Sequence, residues 1–252
     1  MGDSVGSVGE MVRSWREMRR LSQLDLALEA EISQKHLSFV ESGRSAPSRE
    51  MLLHIAEHLE VPLRERNAML LAAGFASAFA ARSLNDPSLA VAKASVERVL
   101  KAQEPFPALA FDRHWNMVSA NQAVWALLGV VGADLLKPPV NVLRVSLHPA
   151  GLAPHIANLA AWRLHLISQA RRQFRITRDA ALECLLKELE TYPAPASAEA
   201  AGQESIPMDG IAIPLRLRTP GGILSFISTV TVFGTPLEIT LSELTVEAFL
   251  PG

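Results

Sequence analysis

Over the first 75 residues apolar positions recur every three or four residues, in short runs broken by Ser, Gly and Pro. Val8, Val12 (or Met11), Trp15 and Met18 form the stripe of a first helix, surrounded by Arg13, Arg16, Arg19 and Arg20. Ser22 is placed to cap a second helix, with Asp25 at the capping-box position and Leu24, Ala27 and Leu28 as its inner face. Ser33 caps a third helix, which buries Leu37 and Val40 and stops at Ser42-Gly43. Pro47-Ser48 opens a fourth, with Leu52, Ile55 and Leu59 inside, and Pro62 opens a fifth that ends near Gly74. The pattern predicts an all-α, five-helix domain over residues 1–75.

The pattern then changes. Residues 76–102 are alanine-rich and read as a linker helix, with Asn85-Asp86-Pro87 as its N-terminal punctuation. Residues 103–252 mix periods of two and of three to four. Ala108 to Phe111 and Trp115 to Ser119 read as strands about a polar turn, followed by Asn121 and a helix carrying Val124, Leu127 and Leu128. Helical patterns cover about Leu152 to Arg175 and Arg178 to Leu189. Ile211 to Leu217, Ile223 to Phe233 and Leu237 to Phe249 alternate as antiparallel strands, with turns at Pro220-Gly221-Gly222 and Gly234-Thr235-Pro236. Pro193 to Gly210 reads as a flexible loop. The class expected for the whole is α+β: a helical N-terminal domain and a C-terminal domain with an antiparallel sheet and helices.

Composition narrows the function classes. Hydrophobic residues make up 49% of the chain, enough for true cores, and charged residues 20%, so it is not a disordered chain. The net charge of -2 means that any basic surface must be placed locally. A single cysteine, Cys184, excludes an internal disulfide and argues against a thiolate zinc site; its leucine neighbours suggest that it is buried and inert. Met1 to Glu10 lacks the signal-peptide pattern and no apolar run spans a bilayer, so the expected location is the cytoplasm, without membrane association.

One pair invites a metal reading. His54 and His58, with Glu57 between them, share a helix face at ligand spacing. They lie inside the fourth helix with no third ligand in view, so solvated or interface histidines are the expectation; no metal, cofactor or enzymatic activity is assigned. The third helix is more telling. Its outward face offers Gln34, Lys35, Ser38 and Phe39. Glutamine can hydrogen-bond twice to adenine, lysine suits guanine, and a phenyl ring can meet a thymine methyl group.

Leu21 to Val61 resembles the Xre, or lambda-repressor-like, family of helix-turn-helix domains. The matching residues are Leu21-Ser22-Gln23, Ala27, Ile32-Ser33, Leu37-Ser38, Glu41-Ser42-Gly43-Arg44 and Pro47-Ser48. The resemblance implies double-stranded DNA as partner, with Gln34, Lys35, Ser38 and Phe39 facing base edges and Gln23 and Arg44 holding phosphates. It also implies a structural ion pair between Arg16 and Glu41. Glu31 departs from the family, which has glycine in the turn there.

The strand, turn, strand, Asn, helix order of Pro107 to Gly129 resembles the opening of a PAS-type sensor domain. With the Xre-like domain before it, nearly the whole chain resembles the MmyB-like regulators. The supporting residues are Trp115-Asn116, Ala120-Asn121, Asn141-Val142-Leu143-Arg144, His148-Pro149 and Ala161-Trp162. This implies a PAS-like ligand-binding and dimerisation domain over 103–252, with an apolar pocket for a small lipophilic, fatty-acyl-like molecule. The pocket residues implied are Trp115, Trp125, Trp162 and Phe226, with Asn121, Arg144 or Arg175 as donors to a carboxylate head group; the same aromatics also suit a plain core. The expected protein is a homodimeric regulator on a two-fold symmetric operator. The alternative is a regulator whose C-terminal domain only dimerises or recruits a protein.

Overall fold

The computed structural model describes residues 7–193 and 213–252. The chain divides into two compact units. One runs to Ser83 and takes in Thr235–Ser242; the other comprises Leu84–Gly234 and Glu243–Gly252.

The first unit holds five helices: α1 (Val8–Met18), α2 (Gln23–Glu29), α3 (Gln34–Glu41), α4 (Arg49–His58) and α5 (Leu63–Ala72). Four begin at serines whose side chains accept the backbone N–H three residues on: Ser7, Ser22, Ser33 and Ser48. Ser7 with Glu10, and Ser22 with Asp25, complete reciprocal capping boxes. α3 stops at Gly43 and α5 at Gly74, both in the left-handed conformation. Val12, Leu26, Leu37, Leu52, Ile55, Leu59, Met69 and Leu70 are essentially inaccessible and close the core, with Trp15 at its edge.

α1 packs directly on α3, and Gly9 permits the approach. A Cβ at that position would stand 2.3 Å from the Val40 carbonyl oxygen. Thr235–Ser242 joins this unit by backbone contacts. Ile239 donates its N–H to Ala80 O at 2.8 Å. The buried Glu238 carboxylate accepts the N–H groups of Arg82 at 2.6 Å and Leu241 at 3.0 Å. Ile239–Ser242 is a helical turn, so the strand expected over Leu237–Phe249 starts only at Thr245. Periodicity alone could not reveal this, because the segment is held by partners about 160 residues earlier in the chain.

The second unit opens with α6 (Ala90–Ala102), preceded by a short turn that Asp86 caps. An antiparallel sheet follows, of β1 (Ala108–Phe111), β2 (Met117–Ala120), β3 (Leu215–Thr219), β4 (Gly222–Val232) and β5 (Thr245–Pro251). Their order is β2-β1-β5-β4-β3. Between β2 and β3 lie α7 (Gln122–Leu127), α8 (Val142–Leu147), α9 (Leu159–Thr177) and α10 (Ala180–Thr191). α9 and α10 are parted by Arg178, whose φ of 52° ends one helix, and Asp179, whose carboxylate caps the next.

Alternation assigns the two faces of this sheet. Ala108, Ala110, Val246 and Ala248 point to Val96 and Leu100 of α6. Leu109, Phe111, Phe249, Phe226, Leu215 and Leu217 point to the other side, where Val124, Leu143, Trp162, Leu166, Leu182, Leu186 and Leu189 cover them. Small residues on one face and large ones on the other let a single helix pack closely while four helices build a deeper core. Of the strand expected from Ile211, β3 is observed from Leu215. The loop expected over Pro193–Gly210 lies, beyond Pro193, outside the described residues.

Cys184 is exposed, not buried as its neighbours suggested. α10 buries the stripe Leu182, Leu185, Leu186 and Leu189, and position 184 falls on the opposite side of the helix.

Candidate DNA interface and ligand cavity

α2 and α3 are joined by a tight turn at Ala30–Ser33, in which Glu31 adopts a left-handed φ of 51°. This is the position where the sequence departs from the glycine of similar domains. α3 turns Leu37, Val40 and Glu41 inward. Gln34 and Lys35 are exposed on its first turn, and Ser38 follows one turn later, half-buried.

Phe39 is half-buried and anchors the loop that follows. Its carbonyl oxygen accepts the N–H groups of Arg44 at 2.9 Å and Ser45 at 3.1 Å. The Lys35 ammonium lies 5.7 Å and the Arg44 guanidinium 5.9 Å from the centre of its ring. The ring thus gathers two cations beside the exposed end of α3. Arg44 is itself exposed, on the loop after α3.

Behind α3 lies a buried polar cluster. Arg16 of α1 donates Nε to Glu41 Oε1 at 2.7 Å and Nη2 to Oε2 at 2.9 Å, and its Nη1 to Leu21 O at 2.8 Å. Gln23, at the start of α2, donates its amide to Glu41 Oε2 at 2.8 Å. Burial raises the cost of charge on Glu41, but the hydrogen bonds from Arg16 and Gln23 outweigh it and hold the carboxyl below its ordinary range. One carboxylate therefore ties together the three helices that present the exposed face. Gln23 is committed to this cluster through its carboxamide, and the N-terminus of α2 lies beside it.

His54 Nε2 lies 2.8 Å from Ala30 O, and His58 Nδ1 lies 3.0 Å from His54 O. The two rings meet edge to face. Among the described residues no three His, Cys, Asp or Glu side chains gather as a ligand set.

In the second unit a largely enclosed cavity of about 70 Å³ lies between the sheet and the helices. Leu109, Val145, Trp162, Phe226 and Phe249 supply its apolar wall, and Ser146 and Glu247 its polar atoms. The Trp162 indole donates to Ser146 Oγ at 3.0 Å. An open groove of about 530 Å³ runs beside it, lined by Glu104, Gln122, Leu224 and Ser225 among others. Pro107, Leu127 and Phe226 line both.

The other residues expected at a pocket lie elsewhere. Trp115 is buried in the core, stacked on Phe111 at 4.7 Å, with its indole donating to Gln173. Its φ of 64° is unusual for so bulky a residue, and the Asp112 carboxylate braces the turn by accepting the N–H groups of His114 and Asn116. Asn121 caps α7, accepts the Ala108 N–H and donates to Leu100 O and Phe106 O. Trp125 is 50% exposed. Arg144 forms a two-pronged pair with Glu188, at 2.8 and 2.6 Å. That pair, with Tyr192 on the same carboxylate, holds Glu188 below its ordinary range. Arg175 is exposed on α9. None of these five lines either cavity.

Sequence reasoning missed Glu247. It sits mid-strand in β5, opposite Leu109 on β1 and Val230 on β4. Burial pushes its carboxyl up to about 7, against a hydrogen bond with Ser228 that favours ionisation. The available signal was an acidic residue at an inward position of an alternating strand, Thr245-Val-Glu-Ala-Phe249. A second unforeseen cluster joins the β1–β2 turn to the α9–α10 corner: Asp179 pairs with Arg113 and His114, and Arg113 reaches Glu243.

A five-helix unit with an exposed recognition helix, followed by an α+β unit with an enclosed cavity, defines a DNA-binding regulator class. A helix-turn-helix family model matches residues 12–66, and the model of the MmyB-like transcription regulator ligand binding domain matches residues 92–252. The chain belongs to the MmyB-like transcription regulators. No curated protein matches it. Both matched families are regulatory and not enzymatic. Among the described residues no helix is long and apolar enough to cross a membrane.

Proposed function

We propose that this regulator reads a specific DNA sequence through Gln34, Lys35 and Ser38, and that its C-terminal domain senses a small apolar molecule in the cavity beneath the sheet. The observation that carries the first part is the exposure of Gln34 and Lys35 on the outer face of α3, whose inner face is locked by Glu41. Phe39 orients Lys35 and Arg44, and Arg44 and the α2 N-terminus at Gln23 contact phosphates. The protein acts as a homodimer on a two-fold symmetric operator, with half-sites about 34 Å apart. Exposed Ile223 and Ile227, which share one face of β4, supply apolar surface suited to self-association. We assign DNA binding to 1–75 and sensing to 103–252; of the 76–102 stretch expected as a linker helix, only Ala90–Ala102 is an α-helix and it packs on the sheet of the second unit. The cytoplasm is the compartment in which such a regulator acts.

A ligand shifts the equilibrium between two dimer geometries only as far as it binds them unequally. The test has two arms. Selection of duplexes from a randomised pool should return a symmetric consensus; recovery without enrichment would remove the claim of specific reading. Native against denaturing mass spectrometry of the fresh protein should release a small apolar molecule.

A second reading has a specific observation in its favour. The enclosed cavity, at about 70 Å³, is smaller than the several hundred Å³ usual for ligand sites. A domain that only dimerises or recruits a protein would release nothing and would bind no apolar probe.

A further inference from the structure

We propose that the cavity and the groove beside it together take an elongated apolar molecule whose polar end is a hydrogen-bond donor, a hydroxyl or an amine, seated on Glu247, and that they discriminate against a terminal carboxylate. This rests on the cavity being a ligand site and names the chemistry of its occupant.

The placement of Glu247 follows from strand register. Residues directly opposite across antiparallel strands share a face. Leu109 opposes Glu247, and Ser228 opposes Phe249. Leu109, Phe226, Ser228, Glu247 and Phe249 therefore lie on the helix-covered face, and Glu247 lines the cavity among apolar neighbours. It is 5% exposed. A carboxyl on that face costs stability that an apolar residue would not; Ser228 supplies one hydrogen bond to it, and a carboxylate keeps acceptor capacity for a further donor.

Charge decides which partner fits. Among the described residues the linings of the cavity and groove contain two ionisable side chains, Glu247 and Glu104, both acidic, and no Lys, Arg or His. Arg144, suited by type to hold a carboxylate, is committed to Glu188. A carboxylate head group brought to Glu247 would meet a second anion in a low-dielectric setting, or would have to keep Glu247 protonated. A hydroxyl or ammonium group instead donates to it. The Ser146 hydroxyl, which accepts from Trp162, can offer its own hydrogen or a free lone pair to the same head group.

Length follows from the shared wall. The enclosed space alone holds only a head group and a few carbons. Pro107, Leu127 and Phe226 line both spaces, so displacement of Leu127 and Phe226 would join them into one channel. The apolar tail then lies in the groove, against Phe106, Ala126 and Leu224.

The experiment is calorimetric titration of the full-length protein, freed of bound molecules by organic extraction, near pH 8. Three probes share one chain: dodecan-1-ol, dodecylamine and dodecanoate. The alcohol and the amine should bind about tenfold or more tighter than the acid. In Glu247→Gln the acid should gain most of that difference. The wild-type comparison stands by itself if the variant fails to fold. Dodecanoate binding as tightly as the other two would overturn the head-group assignment and leave the cavity as a ligand site. Failure of all three chains to bind would overturn both.

Discussion

Arg16 and Glu41, 25 positions apart, meet in a buried two-pronged ion pair whose side chains are only 10% and 3% exposed. α1 is thereby fastened to the end of the recognition helix, and Gln23 adds α2 to the same carboxylate. A buried pair is strongly destabilising to break, because the remaining charge loses its partner. Arg16→Met should lower the stability of the full chain's helix-turn-helix unit by about 3 kcal/mol. Arg16→Met with Glu41→Leu should cost clearly less than the single change. Denaturant melts followed by circular dichroism measure both. Because Glu41 is held below its ordinary range, its contribution is fully present above pH about 4.5 and is lost as pH falls through the lowered folded value.

Gln34→Ala with Lys35→Ala should abolish discrimination between the selected operator and random duplex, while the helical spectrum stays unchanged. Both side chains are exposed on α3 and make no core contact. Arg44→Ala should weaken operator and random DNA alike and reduce the salt slope by about one phosphate's worth. Fluorescence anisotropy over a range of salt separates the two effects; retained discrimination in the double variant would sink the assignment of reading residues.

Glu31→Gly should stabilise the protein by about 1 kcal/mol. Its φ of 51° places a side chain in the left-handed region that glycine occupies without steric cost. A thermal melt that moves down in temperature would count against strain at this turn.

Gly9→Ala should destabilise by about 1–3 kcal/mol. Its Cβ would press on backbone oxygens of Val40 and Glu41, at 2.3 and 2.8 Å, and backbone cannot swing aside as a side chain can. The displaced α3 should also weaken operator binding, measurable by anisotropy beside the denaturant melt.

Glu247→Gln should flatten the pH dependence of the second unit's stability. The folded carboxyl is raised from 4.5 to about 7, so the folded state binds the extra proton between those values. The associated stability is fully present below pH about 4.5 and is lost as pH rises through about 7, some 3 kcal/mol in order of magnitude. Unfolding followed by tryptophan fluorescence between pH 5 and 8 should show this decline in wild type and little of it in the variant. An unchanged slope would mean that Glu247 remains ionised in its cavity.

Much of the first unit was legible because its signals are local. Ser22, Ser33 and Ser48 cap helices whose apolar stripes lie within one or two turns, and Gly43 and Gly74 mark the ends. In the second unit the same holds for β1, for the helix that follows Asn121, and for the turn at Gly221-Gly222. α8 was not seen in advance, since six residues with four buried carry no clear period.

The chain's own order of apolar, capping and turn residues determined the helix-turn-helix, the alternating strands and the outward face of α3, because those depend on neighbours a few positions away. Tertiary structure alone decided the rest. Trp115 became core and Trp125 surface, although both are tryptophans in the same segment, because only the first lies against Phe111 and Gln173. Arg144 was turned from candidate ligand donor to the partner of Glu188, 44 positions later. Glu247 was brought to the cavity by the register of β5 between β1 and β4, and Glu238 to the first unit by backbone partners near Arg82. Such roles depend on which distant segments desolvate or hydrogen-bond a group, and a charged side chain acquires its chemistry from that enclosure.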